Sequence, residues 1–245
     1  MSWLDGVLAV PTIGVHTKIE YDSVMNFETN VGKFAYKLED SGEKFRIEKK
    51  GLWGYEIMCD SGYSFLINRN NFVASFKYLF IEKDQPGALP HMEVPQVLSY
   101  TEICSQIEHW LDNLFGAFSN IPEMVYDRIG IVASANLEKT TTPPGVKKWL
   151  EYLGRPWAGD LVDINAKICT NLSNDGDYAD RCHHRIEYAS EKFEETGFRV
   201  ILDWQRKFNK KQSISLGNLK DRIEVCKNQA FEYFEKFAQG DLEYE

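Results

Sequence analysis

The feature that most constrains the fold is a change of hydrophobic period near residue 99. Between residues 33 and 81, short aromatic and β-branched runs are separated by turn residues such as Asp60-Ser61-Gly62, a pattern typical of an antiparallel meander. The runs are KFAYKL, KFRIEKK, LWGYEIMC, YSFLINR and NFVASFKYLFI. In the last run, alternate residues from Phe72 to Phe80 are apolar, which predicts a strand with one buried face.

From residue 99 to residue 119 the apolar residues recur at helical spacing instead. They form one stripe that consists of Ile103, Ile107, Trp110, Leu111, Leu114, Phe115 and Phe118. Ser99 or Thr101 is placed to cap this helix at its N-terminus. The first part of the chain is therefore predicted to be a meander that is closed by one long amphipathic helix.

The second part of the chain follows a similar order of elements. The predicted elements are the strand YDRIGIVASANL, the short helix VKKWLEYLG, the strands LVDINAKICTNL, DRCHHRIEYA and FRVILDWQRKF, and a final helix over about residues 216–237. We therefore predict an α+β protein of antiparallel meanders in two similar halves, residues 1–120 and 121–245, each closed by one long amphipathic helix. The two halves could also form one continuous domain, and no repeat of the sequence itself accompanies them.

Charge and cysteine content narrow the class of protein. The formal net charge of −9 repels phosphate backbones and anionic membrane surfaces, so any nucleic-acid binding needs a local basic patch. The five cysteines are odd in number and form no C-x-x-C pair, which favours a reducing compartment. The start MSWLDGVLAV has no basic segment typical of a signal peptide, and no stretch reaches the roughly 20 apolar residues of a membrane span. We expect a cytoplasmic protein that does not contact membranes.

The stretch NDGDYADRCHHRIEY, residues 174–188, combines acids with a Cys-His-His run and raises the question of a metal site. A two-residue turn at Asp175-Gly176 would mix apolar and polar residues on each face, whereas a three-residue loop ending at Gly176 keeps them apart. The pairs that the second alternative predicts are Ile168 with Cys182, Ala166 with His184, and Ile164 with Ile186. Because His183 and His184 then point to opposite faces of the sheet, we expect no metal and no other cofactor here.

The outward face of this hairpin is more informative than its inward face. The residues predicted to share it are Asn165, Lys167, Arg181, His183, Arg185, Arg199, Asp203 and Lys207. One interpretation is a solvated face with cross-strand pairs such as Arg185 with Asp203. The other is a basic platform for a phosphate-bearing ligand or an acidic partner.

Three segments of the second half resemble a known family. The segments RIGIVASAN, RCHHRIEY and VILDWQRKF, followed by the long terminal helix, are similar to a sporadically distributed bacterial family of about this length. The resemblance covers residues 60–240. It implies an α+β chain of two similar halves and an occurrence typical of mobile or defence-associated genes. The family has no settled activity, so no catalytic residues carry over.

We therefore expect a non-catalytic interaction or regulatory accessory protein of a bacterial defence or mobile-element system. Its partner would be another protein or a second copy of itself, bound through the exposed sheet face or an acidic helix. The first alternative is binding of nucleic acid or a nucleotide through the basic sheet face. The second alternative is an enzyme whose site is assembled from distant residues, since no catalytic motif is present.

Overall fold

The structure is a computed structural model. It describes residues 2–18, 24–52, 54–79, 81–83, 91–93, 97–121, 124–138, 142–154, 165–188, 197–213 and 216–241. The helices are α1 (Trp3–Gly6), α2 (Val24–Asp40), α3 (Tyr100–Ala117), α4 (Pro144–Gly154) and α5 (Leu216–Gln239). The strands are β1 (Val10–Lys18), β2 (Phe45–Lys49), β3 (Gly54–Cys59), β4 (Tyr63–Asn68), β5 (Asn71–Phe76), β6 (Ile81–Lys83), β7 (His91–Glu93), β8 (Val125–Glu138), β9 (Asn165–Asn174), β10 (Tyr178–Tyr188) and β11 (Gly197–Ser213).

Nine of the strands form one sheet in the order β2-β3-β4-β5-β1-β8-β11-β10-β9, and β6 pairs with β7 separately. Every adjacent pair in the large sheet is antiparallel. The predicted α+β class with antiparallel sheet is thus confirmed. The central pair is β1 with β8, so that the sheet runs without a break from the first half of the chain to the second.

The helices lie on one face of this sheet. Helix α3 packs against β1 and β5, α5 packs against β8 and β11, and α2 and α4 flank them. The core between the layers is strongly aromatic: the Phe72 ring lies 4.9 Å from that of Phe118, and the Phe34 ring lies 5.1 Å from that of Phe65. The buried Lys227 ammonium of α5 donates to the Glu108 carboxylate of α3 over 2.8 Å and links the two long helices.

Two elements of the large sheet and the helix layer differ from the sequence-based prediction, which also lacked the short helix α1 and the β6-β7 pair. The run KFAYKL is the C-terminal part of helix α2 and not a strand, because Phe27, Val31, Phe34 and Leu38 make one buried helical stripe. Strand β1, which lies at the centre of the sheet, was not predicted at all.

The remaining predicted elements are present with shifted ends. Phe72, Ala74 and Phe76 are buried on one face of β5, but the strand ends at Phe76, and Phe80 lies outside the described residues. The helices predicted after residues 99 and 216 are α3 and α5, and Ser99 is the N-cap of α3. None of the described helices is long and apolar enough to cross a membrane.

Candidate binding face of the sheet

The hairpin of β9 and β10 positions most of the predicted site residues. Its turn is Gly176-Asp177, because the Asp175 N–H donates to the Tyr178 carbonyl over 3.2 Å. The Asp175 carboxylate also accepts from the N–H groups of Asp177 and Tyr178, and Gly176 has a left-handed φ of 92°. The turn therefore lies later in the chain than either loop that the sequence suggested.

The later turn makes the predicted strand register wrong by two residues. The observed pairs include Cys182 with Thr170, His184 with Ile168, and Ile186 with Ala166, and Ile164 lies outside the described residues. A β-bulge at Leu172 adds one residue to β9 and restores the alternation that the shifted turn would have reversed. Because the net slip is an even number of residues, each side chain keeps its predicted face.

The inward residues of β10 are core residues, as predicted. Cys182, His184 and Ile186 are all buried. The His184 ring stacks on Phe237, and its Nε2 is 2.8 Å from the Tyr233 hydroxyl. Burial lowers the pKa of His184 to about 4, so this imidazole is neutral at physiological pH.

All eight predicted binding residues share the opposite, outer face of the sheet. On β10, His183 lies between Cys169 of β9 and Asp203 of β11, and Arg185 lies opposite Lys167. The other members, by strand, are Asn165 on β9, Arg181 on β10, and Arg199 and Lys207 on β11. The structure therefore brings the predicted set together on three neighbouring strands.

The ion pairs on this face differ from the one predicted. Arg185 does not pair with Asp203, because the register sets Arg185 opposite Ile201. Instead, Glu187 accepts from Arg185 over 2.7 Å and lies 3.6 Å from Arg199. Asp203 Oδ2 accepts from the side-chain amide of Gln205 over 2.7 Å.

Strand β8 adds a sixth basic residue that the sequence analysis did not include, Arg128. The outward basic side chains on β8 to β11 are Arg128, Lys167, Arg181, Arg185, Arg199 and Lys207. We call this set the basic face. Only Arg185 and Arg199 contact an acid within the part of the chain that the structure describes.

A hollow lies beside the basic face, where the two central strands each carry a glycine. Gly14 of β1 and Gly130 of β8 are directly opposite each other on the outer face. The missing side chains leave a cavity of about 220 Å³, which we call the glycine hollow. Its walls include Val73 of β5 and Val132 of β8.

Polar side chains of four strands line the glycine hollow: Asn71 of β5, His16 of β1, Arg128 of β8, and Asp203 and Gln205 of β11. His16 Nδ1 and Asp127 Oδ1 are 2.6 Å apart, and Asp127 occupies a bulge in β8 that turns it toward β1. Asp203 and Gln205 form the wall on the β11 side. Burial raises the pKa of Asp203, although His183, Lys167 and Arg128 lie close enough to oppose that shift.

Within the described residues, no group of three or more His, Cys, Asp and Glu side chains is placed to hold a metal ion. Cys169 Sγ lies 3.8 Å from His183 Nε2 on the outer face, while the other four cysteines are buried. The arrangement is suited to binding polar, anionic groups on an open surface.

The comparisons with known proteins leave the family open. No protein-family model matches the chain, and no curated protein matches it. Among solved structures, it is similar to a rolling circle replication initiator protein from Geobacillus stearothermophilus, at 9% identity over 90% of this chain and 78% of that chain. The TM-score of this match is 0.31, which is too low to carry an argument about this protein.

Proposed function

We propose that the protein is a non-catalytic accessory protein that binds nucleic acid through the phosphates, on the basic face of its sheet. The observation that carries the proposal is a set of four basic side chains that form no salt bridge within the described residues, on a sheet face that no described helix covers. These four are Arg128, Lys167, Arg181 and Lys207. Such a cluster supplies the local basic patch that a chain of net charge −9 needs to hold a phosphate backbone.

The neutral polar residues around the cations also support this choice of partner. Four side chains that point outward on β8 and β9 can donate to phosphate or sugar oxygens: Ser134, Asn136, Asn165 and Asn171. The described outward positions of β8 to β11 carry no Trp, Tyr or Phe, the residues that usually anchor a protein partner. The same lack of aromatic side chains gives little stacking with bases, so we expect affinity to depend mainly on charge.

The cellular setting belongs to the same proposal. Five free cysteines support a reducing compartment, which the cytoplasm provides. A role in a bacterial defence or mobile-element system rests on the family resemblance. A protein partner or self-association, which the sequence analysis favoured, and an enzyme, its second alternative, stay predictions.

Fluorescence anisotropy with a mixed-sequence single-stranded oligonucleotide tests the proposal. We expect the logarithm of the binding constant to fall linearly with the logarithm of salt concentration. The double variant Arg181→Ala with Lys207→Ala should bind roughly tenfold more weakly and reduce the salt slope by about 1.4, since each phosphate contact with a single strand contributes about 0.7.

The matched control is Lys220→Ala with Lys236→Ala, which removes the same charge from α5 on the opposite layer. This control should bind as the wild type does. No binding at low salt, or binding that does not depend on salt, would contradict the proposal. Equal binding of poly-glutamate at the same salt would overturn it in favour of an acidic protein segment.

A further inference from the structure

Gly14 and Gly130 lie in the middle of the sheet, although the neighbouring atoms leave room for a larger residue at both positions. A Cβ on Gly14 would meet its nearest neighbour, Val73 Cγ2, at 3.7 Å, and a Cβ on Gly130 would meet nothing closer than 3.9 Å. Neither glycine has a left-handed φ. Glycine weakens the interior of a strand, and often marks a site where a ligand approaches the backbone closely. The space left by these two absent side chains forms the glycine hollow.

The size of the hollow limits what can enter it. Its volume of about 220 Å³ is below the roughly 300–1,000 Å³ of pockets that enclose a whole small molecule. A single group of a larger ligand fits this space better than a complete metabolite. The larger ligand would then extend from the hollow onto the basic face next to it.

The walls of the hollow suit a flat group with polar edges. Val73, Val132 and the two glycines give it apolar walls and a backbone floor. Asp203 Oδ1 lies 3.9 Å from the Cβ position of Gly130, above that floor, and has no hydrogen-bond partner among the described residues. The group that enters the hollow must therefore donate to a carboxylate.

Hydrogen-bond donors of the protein stand beside this carboxylate. The Arg128 guanidinium lines the hollow, and its Nε is buried without a partner within the described residues. The side-chain amides of Asn71 and Gln205 also line it. A purely anionic group would be repelled by Asp203, whereas a nucleobase offers donors and acceptors side by side on one edge.

We propose that the glycine hollow receives one unstacked base of a single-stranded nucleic acid, and that guanine is preferred. This inference rests on the proposed function, because the base lies next to the hollow only when the phosphates of the same strand are bound to the basic face. Guanine presents two adjacent N–H donors, N1–H and the N2 amino group, to Asp203, and its O6 accepts from Arg128 or an amide. A base that is paired in a duplex has this edge occupied, so the strand must be single.

The test compares two oligonucleotides of equal length, oligo(dT) and the same strand with one central guanine, by anisotropy at fixed salt. The wild type should bind the guanine strand about tenfold more tightly, within the range for a bidentate base contact. Gly130→Val fills the hollow and Asp203→Asn removes the acceptor. Each variant should abolish the difference between the strands, while oligo(dT) binding should keep its dependence on salt because the phosphate contacts on the basic face remain.

The matched control is Ile201→Val, which introduces the same side chain at an outward position of β11 outside the hollow. This control should keep the preference for guanine. Circular dichroism and thermal melting verify that each variant is folded. Salt-dependent binding without a guanine preference would overturn the inference and leave the proposed function intact, whereas no binding of either strand would overturn both.

Discussion

Two adjacent histidines of β10 have opposite environments because neighbouring residues of a strand face opposite sides. His183 stands on the outer face between Cys169 and Asp203. His184 is buried against Phe237 and Tyr233 and has a pKa of about 4. The buried imidazole therefore couples folding to pH, although it takes no part in the proposed binding.

The stability of the protein should fall as the pH is lowered from 6.5 to 4 because of His184. The pKa of His184 is lowered in the folded state, so over this range the unfolded chain binds a proton that the folded chain does not. The loss should reach about 3 kcal/mol at pH 4, since one pKa unit corresponds to about 1.4 kcal/mol. Urea unfolding of the wild type and of His184→Gln, at pH 7 and near pH 4.5, measures the difference.

The variant should show a smaller loss of stability on acidification than the wild type. His109→Gln is the control, because it makes the same substitution at an exposed position of α3. An equal pH dependence in the wild type and in His184→Gln would contradict this role of His184.

At the scale of elements, helix α3 begins with a reciprocal cap. The Ser99 hydroxyl accepts from the Glu102 N–H over 3.1 Å, and the Glu102 carboxylate accepts from the Ser99 N–H over 2.8 Å. Two backbone donors at the start of the helix are therefore satisfied. The cap fixes where the chain enters the helix that covers β1 and β5.

Ser99→Ala should destabilise the protein by about 1 kcal/mol, because the Glu102 N–H loses its acceptor. Chemical unfolding at neutral pH measures the change. Ser105→Ala, at an exposed position within the same helix, removes the same hydroxyl and should leave the free energy of unfolding unchanged or slightly raise it. A similar loss in both variants would show that the cap contributes nothing of its own.

The sequence predicted the type of an element correctly where its apolar residues followed one clear period, as in α3 and α5. Strand β1 was missed because Pro11 and Gly14 both argue against a strand interior. The structure accommodates Pro11 because the pairing of β1 with β5 begins only at Thr12. Helix α2 was missed because KFAYKL alternates in polarity, and its helical stripe appears only when Phe27 and Val31 are included.

The candidate site was predictable in part. The two-residue alternation of β9, β10 and β11 placed eight residues on one face. This placement was right although the register was wrong, since a shift of two residues leaves each side chain on the same face of the sheet. The glycine hollow was not predictable, because it depends on β1 and β8 being neighbours although they are far apart in the chain. The isolated glycine within RIGIV was the available signal, and its meaning required its partner Gly14.

At the scale of the whole molecule, β1 and β8 join the two halves. Ile13 and Val15 of β1 and Ile129 and Ile131 of β8 are buried in the shared core. Separation of the halves would leave both strands with a long unpaired edge. The halves are therefore expected to depend on each other for folding.

We expect one cooperative unfolding transition, with equal calorimetric and van't Hoff enthalpies. Scanning calorimetry of the full chain measures both. Residues 1–120 and 121–245, expressed separately, should lack the sharp near-ultraviolet circular dichroism of the full chain. Two resolved transitions, or a separately folded half, would contradict this expectation.

The uncovered basic face also gives the molecule an electrical polarity. Since six cations outnumber the two acids, Glu187 and Asp203, at the described paired outward positions of β8 to β11, and the formal net charge of the chain is −9, the remaining surface carries more negative charge than the molecule as a whole. The protein is therefore an electric dipole as well as an anion. The electric field of a nearby polyanion exerts a torque on this dipole and turns the basic face toward the polyanion before contact. This alignment weakens with salt, because dissolved ions shorten the range of the field to about 10 Å at 0.1 M salt.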